Sequence, residues 1–136
     1  MSVEHSKQIP LSVRQRRKEI KQEAKFLTNA VFSHPYFPHD IYISMAGVKE
    51  WLNQPHKHYA EKNEALLSLS TLLKQSEYLG SMPDPKRREY ILTGHIFKTE
   101  ISGEDSWIIV TETTWGECMV HSISDYYPYI KEEQNL

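Results

Sequence analysis

The chain changes character after residue 80, and this change constrains its fold more than any other feature. Before it, apolar residues recur at helical spacing in residues 10–32 and again from about residue 57 to 76. After a turn that contains Pro83 and Pro85, β-branched and aromatic residues dominate three segments, at residues 90–101, 107–113 and 119–123. Tight connections that each contain a glycine separate these segments, as in an antiparallel meander. The sequence therefore predicts an α+β fold, with N-terminal helices packed on one face of a small antiparallel β-sheet of three to four strands.

The length of 136 residues fits one domain with a single core. Within it, we expect residues 10–32 to form an amphipathic helical extension, residues 41–123 the core and residues 124–136 an acidic tail. Two prolines between residues 33 and 39 end the first helix, because a helix interior does not accommodate them. A very short extended piece should follow at residues 41–43, and Ser44 is the expected N-cap of a helical turn after it.

Composition narrows the class of protein. Hydrophobic residues make up 39% and charged residues 25% of the chain, as in an ordinary soluble domain. No apolar run approaches the ~20 residues that a membrane span needs, so no membrane partner is expected. The N-terminus lacks the apolar stretch of a signal peptide, and the single Cys118 excludes an internal disulfide. We expect a cytoplasmic protein.

Charge is distributed unevenly along the chain. Residues 14–25 contain six basic and two acidic side chains, whereas residues 100–136 contain eight acidic side chains and one lysine. Such a chain is not suited to coating nucleic acid, because non-specific affinity scales with the number of phosphates that are neutralised. An enzyme that contacts only a few phosphates needs no basic surface. The charge pattern therefore weakens a binding module more than it weakens an enzyme.

The predicted strands contain the most suggestive side chains. Residues two apart in a strand share a face, so His95 and Thr99 should point the same way. Gly94 precedes His95 and leaves room for a ligand to approach. His121 and Ser122 alternate on the last strand, so at most one of them should face the same site. The alternative for His95 is a core histidine bonded to a carbonyl, and for Ser122 a satisfied strand hydroxyl.

Basic side chains in the helical half of the chain, and in the loop before the predicted sheet, complete the set of candidate site residues. Lys62 and His58 belong to the second helix, and a face of that helix directed at the sheet would bring them to His95. Each has a simpler interpretation as a solvated side chain, and His56 competes with His58. These two histidines do not share a helix face and no paired cysteines accompany them, so no metal or cofactor is predicted. Candidate substrate-binding residues are Lys49, Arg87 and Arg88.

These residue types suit metal-free cleavage of RNA. The 2′-hydroxyl of RNA is its own nucleophile, so an enzyme has to remove its proton, neutralise the phosphate charge and protonate the departing 5′-oxygen. Histidine suits the proton transfers because its unperturbed pKa of ~6.5 lies near working pH. In this hypothesis His95 acts as acid or base with His58 as its partner, Lys62 stabilises charge, and Ser122 or Thr99 donates a hydrogen bond.

The order and spacing of several segments resemble the barnase–EndoU–colicin–RelE superfamily of small RNases, and its phage- and mobile-element-associated branch more closely. The segments are GVKEWL at 47–52, YAEKN at 59–63, EYLG at 77–80, GHIFKTEI at 94–101, WIIV at 107–110 and VHSI at 120–123. The resemblance implies helices on a four-stranded antiparallel sheet, metal-independent endoribonuclease activity and often a toxin role. The family's helix lysine would correspond to Lys62, its first-strand histidine to His95, its last-strand hydroxyl to Ser122 and a helical histidine to His58. The expected partners are an RNA substrate and a cognate antitoxin or immunity protein.

Two alternatives from other classes stay open. The acidic C-terminal third would suit a non-catalytic immunity or adaptor protein that binds a basic partner. The basic first helix, residues 13–31, would suit a nucleic-acid-binding element supported by the rest of the chain. Growth arrest on expression in a host favours a nuclease toxin over an adaptor, and steep salt dependence of affinity favours the binding helix.

Overall fold

The structure is a computed structural model, and it describes residues 11–84 and 86–128. Helices occupy the first half of the described chain: α1 (Leu11–Glu23), a 3-10 helix that continues it (Ala24–Asn29), α2 (Met45–Asn53), α3 (Tyr59–Leu66) and α4 (Leu69–Gln75). The strands are β1 (Phe32–His34), β2 (Phe37–Tyr42), β3 (Glu77–Met82), β4 (Ile91–Ile101), β5 (Glu104–Thr113) and β6 (Cys118–Ser124). The α+β class predicted from the sequence is therefore confirmed.

The sheet is larger than predicted and is mixed. Its strand order is β1-β2-β6-β5-β4-β3, and β3 to β6 form the expected antiparallel meander. The hairpin of β1 and β2 extends it, because Ile41 and Tyr42 of β2 pair in parallel with Cys118 and Met119 of β6. The segment predicted only to end the first helix thus also forms an edge hairpin. Pro38 is compatible with β2 because it lies near the start of that strand.

The helices follow the predicted pattern with two interruptions. The first turns into a 3-10 helix at Ala24, and the second divides into α3 and α4 at Ser68, whose φ of −109° and ψ of 30° leave helical geometry. Ser44 is the N-cap of α2 as predicted, since its Oγ accepts a hydrogen bond from the Gly47 N–H at 3.2 Å. Arg16 joins α1 to α3 through Glu64, with Nε–Oε2 and Nη2–Oε1 distances of 2.6 and 3.0 Å.

The core lies between the helices and one face of the sheet, called the helix face below. Fully buried side chains from both layers meet there: Ile20, Val48, Trp51, Leu66, Leu69, Leu73, Phe97 and Ile108. Helix α2 packs very close to β6, because a Cβ added at Gly47 would lie 2.7 Å from the Val120 carbonyl oxygen. This leaves the opposite side of the meander, called the open face, without a covering helix from the described part of the chain.

A β-bulge in β6 breaks the regular alternation of its side chains. Val120 pairs with Val110 and Ser122 pairs with Ile109, so His121 is the extra residue. Val120 and Ile123 face the helices, whereas Ser122 and Ser124 belong to the open face with Ile109 and Trp107. Within the described residues, no helix is both long enough and apolar enough to cross a membrane.

Candidate functional site

A cavity of about 200 Å³ lies on the open face, between the meander and the loop that follows β3. Its apolar lining includes Met82 and Ile109, and Gly94 contributes no side chain that would fill it. The polar lining comes from the loop and from β5 and β6: Asp84, Lys86, Arg88, Thr111, His121, Ser122 and Ser124. An apolar surface with a few convergent polar groups is typical of a ligand-binding pocket.

The bulge in β6 brings both His121 and Ser122 to this cavity. The prediction that at most one of them could face a common site is therefore wrong, because it assumed uninterrupted alternation. Burial lowers the pKa of His121 below its usual 6.5, and the positive charges of Arg88 and Lys86 lower it further. The imidazole is thus neutral near pH 7, and within the described residues it makes no side-chain hydrogen bond that would occupy its ring nitrogens.

The loop at the cavity's rim contains an ion pair between two of its own residues. Asp84 is buried and accepts hydrogen bonds from Arg88 Nε at 2.8 Å and from Arg88 Nη2 at 3.0 Å. Its carboxylate also accepts the backbone N–H groups of Lys86 and Arg88, at 3.1 and 2.9 Å. The Arg88 guanidinium lowers the pKa of Asp84 to about 2. Lys86 is exposed and forms no ion pair with any residue of the described ranges, so its ammonium is available at the rim.

His95 lies on the helix face, on the other side of the sheet from Ser122. Its Nδ1 is 2.9 Å from the Tyr78 hydroxyl and its Nε2 is 2.8 Å from Glu112 Oε1. The edge of the Phe37 ring covers the imidazole at a centroid distance of 4.7 Å, and only 7% of His95 is exposed. Both ring nitrogens are therefore engaged within the protein.

Lys62 is fully buried and stabilises the end of α2. Its Nζ donates to the carbonyl oxygens of Trp51 and Gln54, both at 2.7 Å, while Trp51 Nε1 donates to the Lys62 carbonyl at 3.0 Å. Burial and the charge of Arg17 lower the pKa of Lys62 to about 8. The simpler interpretation of a solvated lysine and the expectation of a lysine directed at the sheet both fail, because the ammonium caps a helix C-terminus instead.

The predicted site is divided between the two ends of β5. His56, which precedes His58 and contacts its N–H, hydrogen-bonds to Ser106 Oγ at 3.0 Å, and Thr99 pairs with Ser106. His95 contacts Glu112, six residues further along the strand. His95 itself pairs with Val110 and lies four residues from Thr99, so at ~3.3 Å per residue the two ends of the predicted site are about 13 Å apart. His58, Lys62 and Thr99 therefore do not converge with His95.

The three predicted substrate-binding residues also separate. Arg88 lines the cavity, and Arg87 occupies the same loop with a positive φ of 53°. Lys49 lies on the helical side, in a groove of about 320 Å³ between α1 and α2. The cations of this groove, called the basic groove below, are Arg17, Lys18, Lys21 and Lys49, and none of them forms an ion pair within residues 11–84 and 86–128.

The sequence analysis thus named Ser122 and Arg88, which line the cavity, as site residues. It assigned no role to His121, Asp84 or Lys86, which line the same cavity. His121 was set aside by the alternation argument, and nothing in a sequence of β-branched residues reveals a bulge. Lys86 and Asp84 stand beside the prolines of a loop and carry no periodic signal. The available clue was the accumulation of charged residues between Pro83 and Tyr90.

Comparison with known protein families gives a match that covers most of the chain. Residues 12–127 match the family model described as large polyvalent protein-associated domain 3, and the match includes α1 as well as the sheet. It agrees with the predicted association with phage or other mobile elements. No curated protein and no solved structure matches significantly.

Proposed function

This chain belongs to the large polyvalent protein-associated domain 3 family, and from the geometry of its open-face cavity we propose that it is an endoribonuclease. The observation that carries the proposal is that His121 and Ser122 line one cavity together with Lys86 and Arg88. A neutral imidazole, a hydroxyl and two cations are the groups that cleavage of RNA through its 2′-hydroxyl needs. The resemblance to small RNases of mobile elements implies the same activity, but two of the residues on which it places that activity, Lys62 and His95, do not line this cavity.

The proposed mechanism assigns each group a step. His121, neutral at pH 7, takes the proton of the 2′-hydroxyl as that oxygen attacks the phosphorus. Arg88 and Lys86 neutralise the charge that grows on the phosphate oxygens, and the Ser122 hydroxyl donates a hydrogen bond to one of them. The Lys86 ammonium at the rim supplies the proton for the departing 5′-oxygen. The products are a 2′,3′-cyclic phosphate and a 5′-hydroxyl.

The apolar lining explains how the substrate is held. Met82 and Ile109 offer an apolar surface beside the polar groups, and this suits the face of a nucleobase. Gly94 allows the base to approach the backbone of β4. The Asp84–Arg88 pair lies within the loop and fixes its conformation, so that the phosphate meets preformed charges rather than a mobile loop.

The direct test uses matched oligonucleotides. An RNA, and the same sequence with 2′-deoxyribose throughout, are incubated with the full chain, and products are resolved by mass spectrometry. We expect cleavage of the RNA alone, with a 2′,3′-cyclic phosphate end. His121→Ala should lose the activity, whereas His39→Ala, which replaces an exposed histidine of β2, should retain it. Efficient cleavage of the DNA, or equal activity in the two variants, contradicts the proposal.

In a cell, we expect the proposed endoribonuclease to act as a toxin. Expression of the wild-type chain should arrest host growth, and co-expression of a cognate antitoxin or immunity protein should restore it. His121→Ala should abolish the arrest at equal protein level. An adaptor or immunity protein would leave growth unchanged in all three cases and would bind a basic protein partner instead.

A second candidate function, nucleic-acid binding without cleavage, is favoured by the basic groove. Four cations line one concave surface, and none is neutralised by a carboxylate of the described residues. Phosphates bound there would release counterions, so affinity should fall steeply as salt rises. Salt-dependent RNA binding by a chain that cleaves neither RNA nor DNA would favour this candidate over the first.

A further inference from the structure

A second cluster of reactive side chains lies on the helix face, where β4 begins, β5 ends and β6 begins. His95, Glu112 and Cys118 come from these three adjacent strands, and one donor atom of each lies within 4.8 Å of the other two. The cluster is separate from the cavity, because the sheet itself lies between them. Cys118 is 1% exposed, and its thiol makes no hydrogen bond within the described ranges.

The three donors are a nitrogen, an oxygen and a sulfur, the combination that zinc accepts in proteins. Ligands of a tetrahedral zinc ion, at bond lengths of ~2.0–2.3 Å, lie roughly 3.2–3.8 Å from one another. Donors up to 4.8 Å apart would need to approach by about 1.6 Å at most, whereas His95 Nε2 and Glu112 Oε1, now 2.8 Å apart, would separate slightly.

The surroundings are those of a metal site as well. The Tyr78 hydroxyl holds His95 through Nδ1, which leaves Nε2 directed at Glu112 and orients the ring as second partners do around metal-binding histidines. Phe37 and Ile41 supply an apolar wall, since Phe37 packs on the imidazole and Ile41 pairs with Cys118. The Glu112 side chain is 17% exposed, which gives an ion a path from solvent.

From this geometry we propose that His95, Glu112 and Cys118 bind one Zn²⁺ ion, with a fourth position for water. Binding displaces the thiol proton of Cys118 to solvent. The imidazole keeps a single proton, which moves to Nδ1 and is donated to the Tyr78 oxygen. The ion would join three strands at the end of the meander beneath the β1–β2 hairpin, so its role is to stabilise the mixed sheet.

Titration of the metal-free full chain tests the proposal. Calorimetry with Zn²⁺ should give one site per chain, and the melting temperature should rise by ~5 °C or more at saturation. Co²⁺ should give the visible bands of a tetrahedral ion and a near-ultraviolet sulfur-to-cobalt charge-transfer band. Cys118→Ser should lose the charge-transfer band, and Glu112→Gln, at a partly exposed position, should weaken affinity at least tenfold while the chain stays folded.

Two controls separate this site from other histidines. His58→Ala removes an imidazole that contacts Glu104 at 3.2 Å and should leave the zinc affinity unchanged, as should His121→Ala. Tyr78→Phe should weaken binding by about tenfold, because the orienting partner is lost. Absence of binding at millimolar Zn²⁺, an octahedral cobalt spectrum without a sulfur band, or full affinity in Glu112→Gln overturns the proposal. None of these readouts depends on cleavage of RNA.

Discussion

His95 and His121 stand on the same sheet, yet only one of them has a ring that is free to act on a substrate. Both nitrogens of His95 are engaged, by Tyr78 and Glu112, beneath the edge of Phe37. His121 makes no side-chain hydrogen bond in the described part of the chain and faces a cavity with two cations. The comparison teaches that the hydrogen-bond partners of its two ring nitrogens decide whether a histidine in a strand can act on a substrate. The position of the histidine in the sequence does not reveal those partners.

Replacing each histidine in turn is the strongest test of this difference between them. His121→Ala should reduce kcat/KM for RNA by ~10²–10⁴-fold, because a general base is removed. His95→Ala should stay within about tenfold of wild type but unfold at lower denaturant concentration, since the Tyr78 hydroxyl and the Glu112 carboxylate lose their hydrogen-bond partner. Cleavage assays and urea denaturation of both variants measure these effects. The opposite outcome, with His95→Ala folded but inactive, would move the site to the helix face.

We expect Asp84 to stabilise the conformation of the loop between β3 and β4, which borders the cavity. Asp84→Asn should lower the free energy of unfolding by about 1–3 kcal/mol, because Arg88 and two backbone N–H groups lose a charged acceptor. KM should rise more than kcat falls, since the cations are displaced but remain. The matched control is Asp105→Asn, whose exposed contact with Lys98 at 3.5 Å is worth at most ~1 kcal/mol. Equal effects of the two variants would contradict the assigned role of the loop.

Acid should destabilise the protein through the same carboxylate. The pKa of Asp84 is lowered to about 2 in the folded chain, below the 3.8 of a free aspartate. As pH falls, the unfolded chain therefore binds the proton first, so the stabilisation is complete above ~pH 5 and is lost as pH falls towards 2. Urea midpoints measured between pH 5 and 2.5 should fall in the wild type, and the fall should be smaller in Asp84→Asn.

The pH dependence of cleavage would sharpen the contrast further. Burial, Arg88 and Lys86 lower the pKa of His121, while Glu50 and Asp84 oppose them. A base with a lowered pKa is neutral at pH 7, so kcat/KM should rise tenfold per unit at low pH and level off before pH 6.5. Lys86→Gln should lower kcat/KM, because the proposed proton donor is lost, and should move the inflection to higher pH, because one positive charge beside His121 is removed. A rate that falls from pH 5 to 7 would exclude His121 as the base.

The smallest expected effect concerns the basic groove, on the helical side away from both histidines. Lys49→Gln should weaken RNA affinity only a few-fold and reduce the slope of log K against log salt by ~1. Fluorescence anisotropy at several salt concentrations measures both quantities. The value of kcat should not change, because the groove lies away from the cavity. A loss of turnover in Lys49→Gln would place the groove in the catalytic site.

Local patterns in the sequence predicted most of the fold. The meander follows from β-branched segments separated by glycine-containing turns, and Ser44 fits the N-cap preference of α2. The β1–β2 hairpin was missed because it joins the sheet through the pairing of Ile41 with Cys118, a contact between distant parts of the chain. No periodicity within either segment encodes that partner.

The site was less predictable, since it depends on the position of a helix C-terminus and of a β-bulge. Lys62 lay on the polar side of a helical wheel, but carbonyl groups at the end of α2 form its binding partners. Alternation placed His121 and Ser122 on opposite faces, and one unpaired residue reversed that conclusion. Sequence reasoning identified the right residue types, whereas tertiary contacts decided which of them meet.

The unpaired residue of β6 also sets the phase of everything that follows it. In a regular strand, Ser122 would point into the hydrocarbon core and Ile123 would point to solvent; with the bulge, Ile123 is buried at 1% exposure instead. Asp125, two positions later, thereby reaches the ring of His56 at 3.0 Å and ties the α2–α3 connection to the sheet. Deletion of His121 would leave Val120 and Ser122 as neighbours opposite Val110 and Ile109, so the rest of β6 would keep its phase while the cavity lost its imidazole.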